Sequence, residues 1–207
     1  MEIERRAFLV EELRAIEGEN PEIVGHSAVF NALSEDLGGF REKIDPGAFS
    51  KSILEDDIRA LFNHDPNYVL GRNRSGTLML SEDVEGLPIR VKVPNTSWAR
   101  DLMESVKRGD INQMSFGFRT LKDRWEEVNG KIVRTLLQVK LFDVSLVTYP
   151  AYPQTSAAVR SAFESFTTER QVSEDGAEER AKAQVRLANR RRKLDCLQIK
   201  LVEKKEN

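Results

Sequence analysis

Short runs of alternating apolar and polar residues, separated by turn dipeptides, fill the chain from Ile3 to about Ala158. Such runs predict β-strands, and turns that recur at short intervals favour antiparallel strand connections. The pattern predicts an antiparallel sheet or barrel. The turn signals are Gly38-Gly39, Asp45-Pro46-Gly47, Asp65-Pro66-Asn67, Ser75-Gly76, Glu85-Gly86 and Asn129-Gly130.

The alternation locates individual strands, and two helical patterns interrupt it. One predicted helix covers residues 46–54 and has Pro46 in its first turn. The other covers residues 97–108, is capped by Asn95 or Thr96, and stops at Gly109. The predicted strands are 23–30, 40–44, 58–62, 77–81, 87–93, 113–121, 131–142 and 144–148.

Size and composition restrict the class of protein. The 207 residues, 40% of them hydrophobic, suffice for one main domain with a tail. The net charge of -2 gives no reason to expect a nucleic acid or a membrane as partner. Cys196 is the only cysteine, which leaves no thiolate cluster and fits a reducing compartment. The N-terminus is charged and the chain has no apolar run of about 18 residues, so we expect a soluble intracellular protein.

The character of the sequence changes after Arg160, where β-branched alternation ends and a highly charged segment follows. We expect a domain at 1–158, a linker at 159–176 and a charged helical tail at 177–207. Leu187, Leu194 and Leu201 are seven residues apart in this tail. Two heptads fit a short coiled coil and a solvated helix with a narrow apolar stripe equally well.

A serine on one predicted strand is a candidate nucleophile. Met114, Phe116 and Phe118 point to one face of this strand, so Ser115 and Gly117 point to the other. Because glycine in a strand often marks the close approach of another backbone, a peptide could lie there. An ordinary polar outer face with a bulge glycine would show the same pattern.

A histidine could serve as the base for this serine. His64 follows Phe62 on the same face of its predicted strand, before Asp65-Pro66 ends the strand. A neutral imidazole there can accept a serine proton. A core histidine without a chemical role is the alternative, and His26 is the rival base.

An acidic residue completes the candidate set. Asp143 interrupts an apolar run, where a carboxylate costs free energy unless it is paired. Its partner is either an imidazole N–H or a basic side chain of a neighbouring strand, namely Arg90, Lys92 or Lys140. The chain has no CxxC, HExxH, phosphate-binding glycine loop or GxSxG motif, so we expect no metal or cofactor.

Several short motifs, in order, resemble the caudovirus prohead proteases, which look like relatives of the herpesvirus assembly proteases. The similarity covers most of residues 1–158. It rests on Gly25-His26-Ser27-Ala28-Val29-Phe30, Ile44-Asp45-Pro46-Gly47-Ala48-Phe49, Asn63-His64-Asp65, Leu70-Gly71, Gly86-Leu87, Met114-Ser115-Phe116-Gly117-Phe118 and Asp143-Val144-Ser145-Leu146-Val147-Thr148-Tyr149-Pro150-Ala151.

The resemblance implies an α+β fold with a small, mostly antiparallel β-barrel, surrounding helices and a charged helical tail. It implies a serine endopeptidase with Ser115 as nucleophile, His64 as general base and Asp143, where many relatives carry glutamate, as third member. The mechanism also needs backbone amides as oxyanion donors, which the sequence does not place; amides near Ser115 to Gly117 or in the Pro150-Ala151 turn are the candidates.

The implied biology is viral prohead maturation. Such an enzyme cleaves the scaffolding segment of the coat protein, and itself, inside the procapsid in the host cytoplasm. Residues 160–168 are then a self-cleavage region, the tail is a targeting element, and a homo-oligomer such as a dimer is expected.

Two other classes of protein compete with this interpretation. A capsid or scaffold component without catalysis would keep the fold and use the tail for assembly. A nucleic-acid-binding module would use the basic run Arg190 to Lys193, although residues 161–207 carry 11 basic against nine acidic side chains and few aromatic ones.

Overall fold

The chain divides into two compact units, Met1–Val159 and Arg160–Asn207. The computed structural model describes residues 3–9, 13–149, 159–172, 178–182 and 184–187. In the first unit the strands are β1 (Glu4–Leu9), β2 (Arg14–Ile16), β3 (Glu22–Val29), β4 (Phe40–Ile44), β5 (Arg59–Phe62), β6 (Asp65–Arg72), β7 (Leu78–Leu80), β8 (Gly86–Lys92), β9 (Gln113–Val128) and β10 (Lys131–Val147). The helices are α1 (Ser50–Glu55), α2 (Ser97–Lys107) and a short 3-10 helix (Asn73–Ser75).

A long hairpin, β9–β10, organises the larger sheet. Its turn is Asn129-Gly130, and both residues have positive φ (53° and 74°), the geometry that suits a two-residue hairpin turn. The sheet order is β1-β9-β10-β5-β6, and β4 also pairs with β10. Because β10 is 17 residues long, one of its edges pairs in parallel first with β4 and then with β5.

The smaller sheet has the order β2-β3-β8-β7 and is antiparallel throughout. Its inward side chains, such as Ile23 and Val91, belong to the same buried cluster as Phe116 and Phe118 of the larger sheet. Each large side chain buried in this way contributes about 1.5–3 kcal/mol. The aromatic face of β9 is therefore packed into the core, and the opposite face of β9 is available for a functional site.

An ion network inside the larger sheet fastens the N-terminal strand. Arg6 bonds Glu42 at 2.7 Å, and Arg134 bonds Glu4 at 2.8 Å and Glu42 at 2.9 Å. All four side chains are buried. Burial alone would lower the pKa of Arg134, but the charges of Glu42 and Glu4 and the hydrogen bonds to Glu4 and Asp123 raise it above its ordinary value. The network ties β1 to β4 and β10.

The fold is α+β, but the predicted barrel is not confirmed. In the described part of the chain neither sheet closes: β1 and β6 form opposite ends of the larger sheet, and β2 and β7 those of the smaller. Turn spacing could not distinguish the two architectures, because short antiparallel strands alternate with turns in open sheets and barrels alike.

Strands β1 and β2 were not predicted, and β9 continues to Val128 where the predicted strand ended at residue 121. Three further differences concern α1, β6 and β10. Helix α1 begins at Ser50 instead of residue 46, because Gly47 has a φ of +92°, which a right-handed helix does not allow. Strand β6 occupies the segment predicted as the Asp65-Pro66-Asn67 turn. Strand β10 is continuous through Asp143, where a break between two strands was predicted.

The second unit is helical where it is described, at residues 160–172, 178–182 and 184–187. The first of these helices covers most of the segment predicted as a linker. Leu194 and Leu201 of the heptad pattern, and the basic run at residues 190–193, lie outside the described residues. No helix in the described part of the chain is long and apolar enough to span a bilayer.

Candidate active site

A two-residue turn presents His64. Strand β5 ends at Phe62 and β6 begins at Asp65, and these two residues pair with each other. Asn63 and His64 between them both have positive φ, 52° and 56°. This is the pattern of a type I′ hairpin turn, for which asparagine is favoured. The prediction that His64 lies on the face of a strand is therefore wrong: its ring extends from the tip of a tight hairpin.

Asn63 holds this turn against the end of β10. Its side-chain amide donates to Thr148 Oγ1 (3.1 Å), and its amide oxygen accepts from the backbone N–H of Thr148 (2.9 Å). The backbone N–H of Asn63 also donates to the carbonyl of Leu146 (2.8 Å). These bonds fix the position of His64 relative to β10, although the two segments are far apart in sequence.

Four residues of β9 and β10 form the floor of the site. Ser115 lies opposite Ser145, and Gly117 lies opposite Asp143. Directly opposed residues point to the same face of a sheet, so the four share the face that lies away from the aromatic core. A β-bulge between Leu141 and Asp143 shifts the register here. Bulges commonly re-aim a side chain beside an active site.

His64 bridges the diagonal of this group. Its Nδ1 lies 2.6 Å from Asp143 Oδ1, and its Nε2 lies 2.7 Å from Ser115 Oγ. An ionised carboxylate only accepts hydrogen bonds, so Nδ1 carries the proton and donates to Asp143. The unprotonated Nε2 then accepts from the Ser115 hydroxyl. The arrangement has the contacts of a nucleophile, a base and an orienting acid.

The site is shielded from water. Ser115 has no exposed surface, and the side chains of His64 and Asp143 are 6% and 11% exposed. Hydrogen bonds in such surroundings are electrostatically stronger than in water. No group of three or more metal-ligating side chains occurs among the residues that the structure describes.

Gly117 provides the space that the Asp143 carboxylate occupies. A Cβ atom built on Gly117 would lie 2.3 Å from Asp143 Oδ2 and 3.2 Å from its Cγ. Real Cβ contacts are essentially never below 3.0 Å. The sequence predicted another backbone, such as a peptide, beside Gly117; the group that lies there is instead the Asp143 side chain of the same sheet.

The family profile described as Caudovirus prohead serine protease matches residues 10–169, more than half of the chain. The chain belongs to this family. The prohead protease of Enterobacteria phage HK97 is 29% identical over 153 residues, which are 72% of this chain and 64% of that protein. The chain thus spans less than two thirds of this relative's length.

A similar solved structure is that of the bacteriophage T4 capsid assembly protease, gp21. The two structures match with a TM-score of 0.45 and 12% sequence identity, and the match covers 70% of this chain and 96% of the T4 chain. The predicted relation to the herpesvirus assembly proteases is not tested by these matches and stays a prediction.

The rival base predicted for this family member lies elsewhere. His26 is on β3 in the smaller sheet, and its Nε2 lies 2.9 Å from Asp83 Oδ2. Burial raises the pKa of Asp83, but the hydrogen bonds from His26 and from backbone N–H groups outweigh it, so the net pKa is lowered. His26 therefore has a partner of its own, and the structure does not bring it to Ser115.

Two of the three basic partners considered for Asp143 are engaged elsewhere. Lys140 lies 3.2 Å from Asp56, and Arg90 pairs with Glu22. The described partners of Asp143 are instead the His64 ring and the hydroxyl of Ser145. A buried carboxylate satisfied by hydrogen bonds avoids the cost of an unpaired charge.

The sequence offers two candidate places for oxyanion donors. The amides from Ser115 to Gly117 lie in a strand that pairs with β1 on one side and β10 on the other. Their hydrogen bonds belong to the sheet ladder, which argues against an oxyanion role. The alternative, the Pro150-Ala151 turn, lies outside the described residues.

Sequence reasoning missed two contributors to the site, Asn63 and Ser145. Asn63 was visible as part of the Asn63-His64-Asp65 motif, and asparagine before a turn residue is a known signal for positive φ. Ser145 was visible only as a polar residue in an apolar run, two positions after Asp143. That spacing places both side chains on one face of a strand.

Proposed function

We propose that this chain is a serine endopeptidase of viral prohead maturation in which Ser115, His64 and Asp143 are the catalytic residues. The observation that carries the proposal is the pair of hydrogen bonds from one imidazole, 2.7 Å to a serine hydroxyl and 2.6 Å to a carboxylate. Membership of the prohead serine protease family supports the same conclusion independently.

In the first half of the reaction, Ser115 Oγ attacks the scissile carbonyl carbon while His64 Nε2 takes the hydroxyl proton. The carbonyl π electrons move to its oxygen, and a tetrahedral intermediate forms. Its collapse breaks the C–N bond, and His64 gives the proton to the leaving amine. Asp143 keeps the ring in the required tautomer and stabilises the imidazolium that forms in between.

In the second half, a water oxygen attacks the acyl-enzyme carbonyl and His64 Nε2 accepts the water proton. The ester bond to Ser115 Oγ then breaks, and the serine recovers its proton from the imidazolium. A carboxylic acid and the free enzyme result. Both halves use one base, so the hydrogen bond from His64 Nδ1 to Asp143 must hold throughout the cycle, while Nε2 changes partner from Ser115 to the leaving amine and then to water.

The proposed substrates are the scaffolding segment of the coat protein and the chain itself, inside the procapsid in the host cytoplasm. Family membership supports this proposal, and the change in composition after Arg160 supports self-cleavage near residues 160–168. The charged helical segment beyond would direct the enzyme to the inner shell surface. A homo-oligomer such as a dimer belongs to the same proposal.

The test is the mass of the purified chain over time, because self-processing needs no knowledge of the coat substrate. Wild type and His26→Ala are expected to shorten near residue 160, whereas Ser115→Ala and His64→Ala stay intact. His26→Ala is the matched control, since it removes the other histidine of the chain. Shortening of Ser115→Ala at the wild-type rate would contradict the proposed nucleophile.

A coat-protein assay completes the test. The same four chains are assembled with the coat protein of the virus, and the loss of intact coat protein is followed by mass. Cleavage that depends on Ser115 and His64 supports the proposal. Cleavage by none of the chains would exclude the proteolytic function and favour a structural role in the shell.

A further inference from the structure

We propose that Ser145 is a positioning residue that sets the orientation of the Asp143 carboxylate toward His64. The inference rests on the proposed function, because its consequence for rate follows only if Asp143 orients the base. Ser145 lies opposite the nucleophile in the ladder, and its hydroxyl hydrogen bond goes to Asp143, so we expect it to act through Asp143.

Two hydrogen bonds converge on one oxygen of Asp143. Ser145 Oγ donates to Oδ1 at 2.6 Å, and His64 Nδ1 donates to the same atom, also at 2.6 Å. Hydrogen bonds to a charged acceptor are short and strong, and these two fall in that range. Oδ1 therefore has both donors, and Oδ2 is the oxygen that faces Gly117.

The carboxylate needs such a restraint because the sheet fixes only its backbone. Rotation about the terminal bond of an aspartate side chain is broad, with no sharply defined staggered wells. Ser145 holds the oxygen nearest the imidazole in place, and Gly117 leaves space for the other oxygen. The hydrogen bond from Ser145 and the space at Gly117 together hold the carboxylate with Oδ1 toward His64 Nδ1.

Burial makes the role of Ser145 specific. Ser145 has no exposed surface, so bulk water cannot replace Asp143 as the hydrogen-bond partner of its hydroxyl. A fully buried hydroxyl without a partner is costly, which makes this bond persistent. Ser27 offers a matched comparison: it is also a fully buried serine on a strand, and it donates to the carbonyl of Leu87 at 3.2 Å. Its partner is a structural backbone group.

The experiment compares Ser145→Ala with Ser27→Ala and with Ser145→Thr, which keeps a hydroxyl. Each purified chain is followed by mass for self-processing and for cleavage of the coat protein. We expect Ser145→Ala to be about ten- to a hundred-fold slower than wild type, the range for losing a hydrogen bond to a charged group. Ser27→Ala should process at the wild-type rate, and Ser145→Thr should recover most of the loss.

Proton NMR provides a second readout that does not depend on activity. The Nδ1 proton of His64, shared with Asp143 in a short buried bond, should give a far-downfield resonance. The spectra are recorded in the Ser115→Ala background, which cannot process itself, with and without Ser145→Ala. We expect the resonance to move upfield or broaden when Ser145 is replaced and to stay unchanged when Ser27 is replaced.

The outcomes separate the two proposals. If Ser115→Ala is inactive and Ser145→Ala matches wild type in rate, the proposed function stands and the role of Ser145 is refuted. An unchanged resonance in Ser145→Ala, or no downfield resonance in the parent, refutes it as well. If Ser115→Ala is fully active, the proposed function fails, while the NMR comparison still decides whether Ser145 orients Asp143.

Discussion

Replacing Gly117 by alanine should displace the Asp143 carboxylate without unfolding the protein. The added Cβ would lie 2.3 Å from Asp143 Oδ2, and ordinary van der Waals contact begins at 3.4 Å. The oxygen must therefore retreat by about 1.1 Å, the difference between these distances. The atom that must move is the end of a side chain, so the backbone of β9 and β10 can stay in place.

The size of the effect follows from that displacement. A misplacement of about 1 Å at a catalytic group can cost on the order of 100-fold in rate, or about 2.7 kcal/mol in the activation barrier. Alanine in a strand is otherwise favoured over glycine by about 0.5–1 kcal/mol, which offsets part of the steric cost to stability. We expect a folded protein with about 1% of the wild-type rate.

The assay is the time course of self-processing and coat cleavage by mass, with circular dichroism and urea titration as tests of folding. Asp143→Ala and the double variant with Gly117→Ala provide the control. If the glycine matters because of the carboxylate, adding Gly117→Ala to Asp143→Ala should cost nothing further. This comparison is a double-mutant cycle between two residues in direct contact.

Two results would refute this reasoning. A folded Gly117→Ala chain that processes at the wild-type rate would show that the carboxylate does not need the space above Gly117. Equal additional losses in the presence and absence of Asp143 would show that Gly117 acts through another part of the site.

Three further perturbations test the remaining structure. His26→Ala should leave coat cleavage within twofold of wild type, because this histidine lies in the smaller sheet; a loss as large as that of His64→Ala would contradict the site. Arg134→Leu should lower the free energy of unfolding in urea by about 3–5 kcal/mol, since buried glutamates lose their cation; a change below about 1 kcal/mol would contradict the network. The hydrogen bond from Arg72 lowers the pKa of Asp57 from 3.8 to about 2. Stability from this pair is present above pH 3.8 and is lost as the pH falls toward 2. Asp57→Asn should remove that dependence, and superimposable acid-unfolding curves would refute it.

The positions of most strands were predictable because the sheets are built from local alternation, although β1 and β2 were not predicted. Strand 40–44 was predicted with its observed bounds, and the Asn129-Gly130 turn connects β9 and β10 as its residue types indicate. Strand β6 was missed because Asp65-Pro66-Asn67 has the composition of a turn. It is the last strand of its sheet in the described residues, and an edge strand tolerates proline where a central one does not.

The residue types of the site were predictable, but their geometry was not. His64 is 51 residues from Ser115 and 79 from Asp143 in sequence, and no local pattern reports such contacts. They depend on the register of β9 with β10 and on a bulge beside Asp143. The direction of the His64 ring was not predictable either, because His64 has a positive φ in the turn position that glycine usually occupies.

Access to Ser115 is restricted by the same strands that build the site. Ala7 of β1 lies beside Ser115 on one side, and Ser145 of β10 lies on the other. Withdrawing β1 would break the buried ion pairs of Arg6, at a cost of about 3–5 kcal/mol for a separated pair. Withdrawing β10 would dismantle the site. Under the proposed function, a peptide must therefore reach the hydroxyl from above the sheet face, on the side where His64 lies, while both flanking strands stay paired.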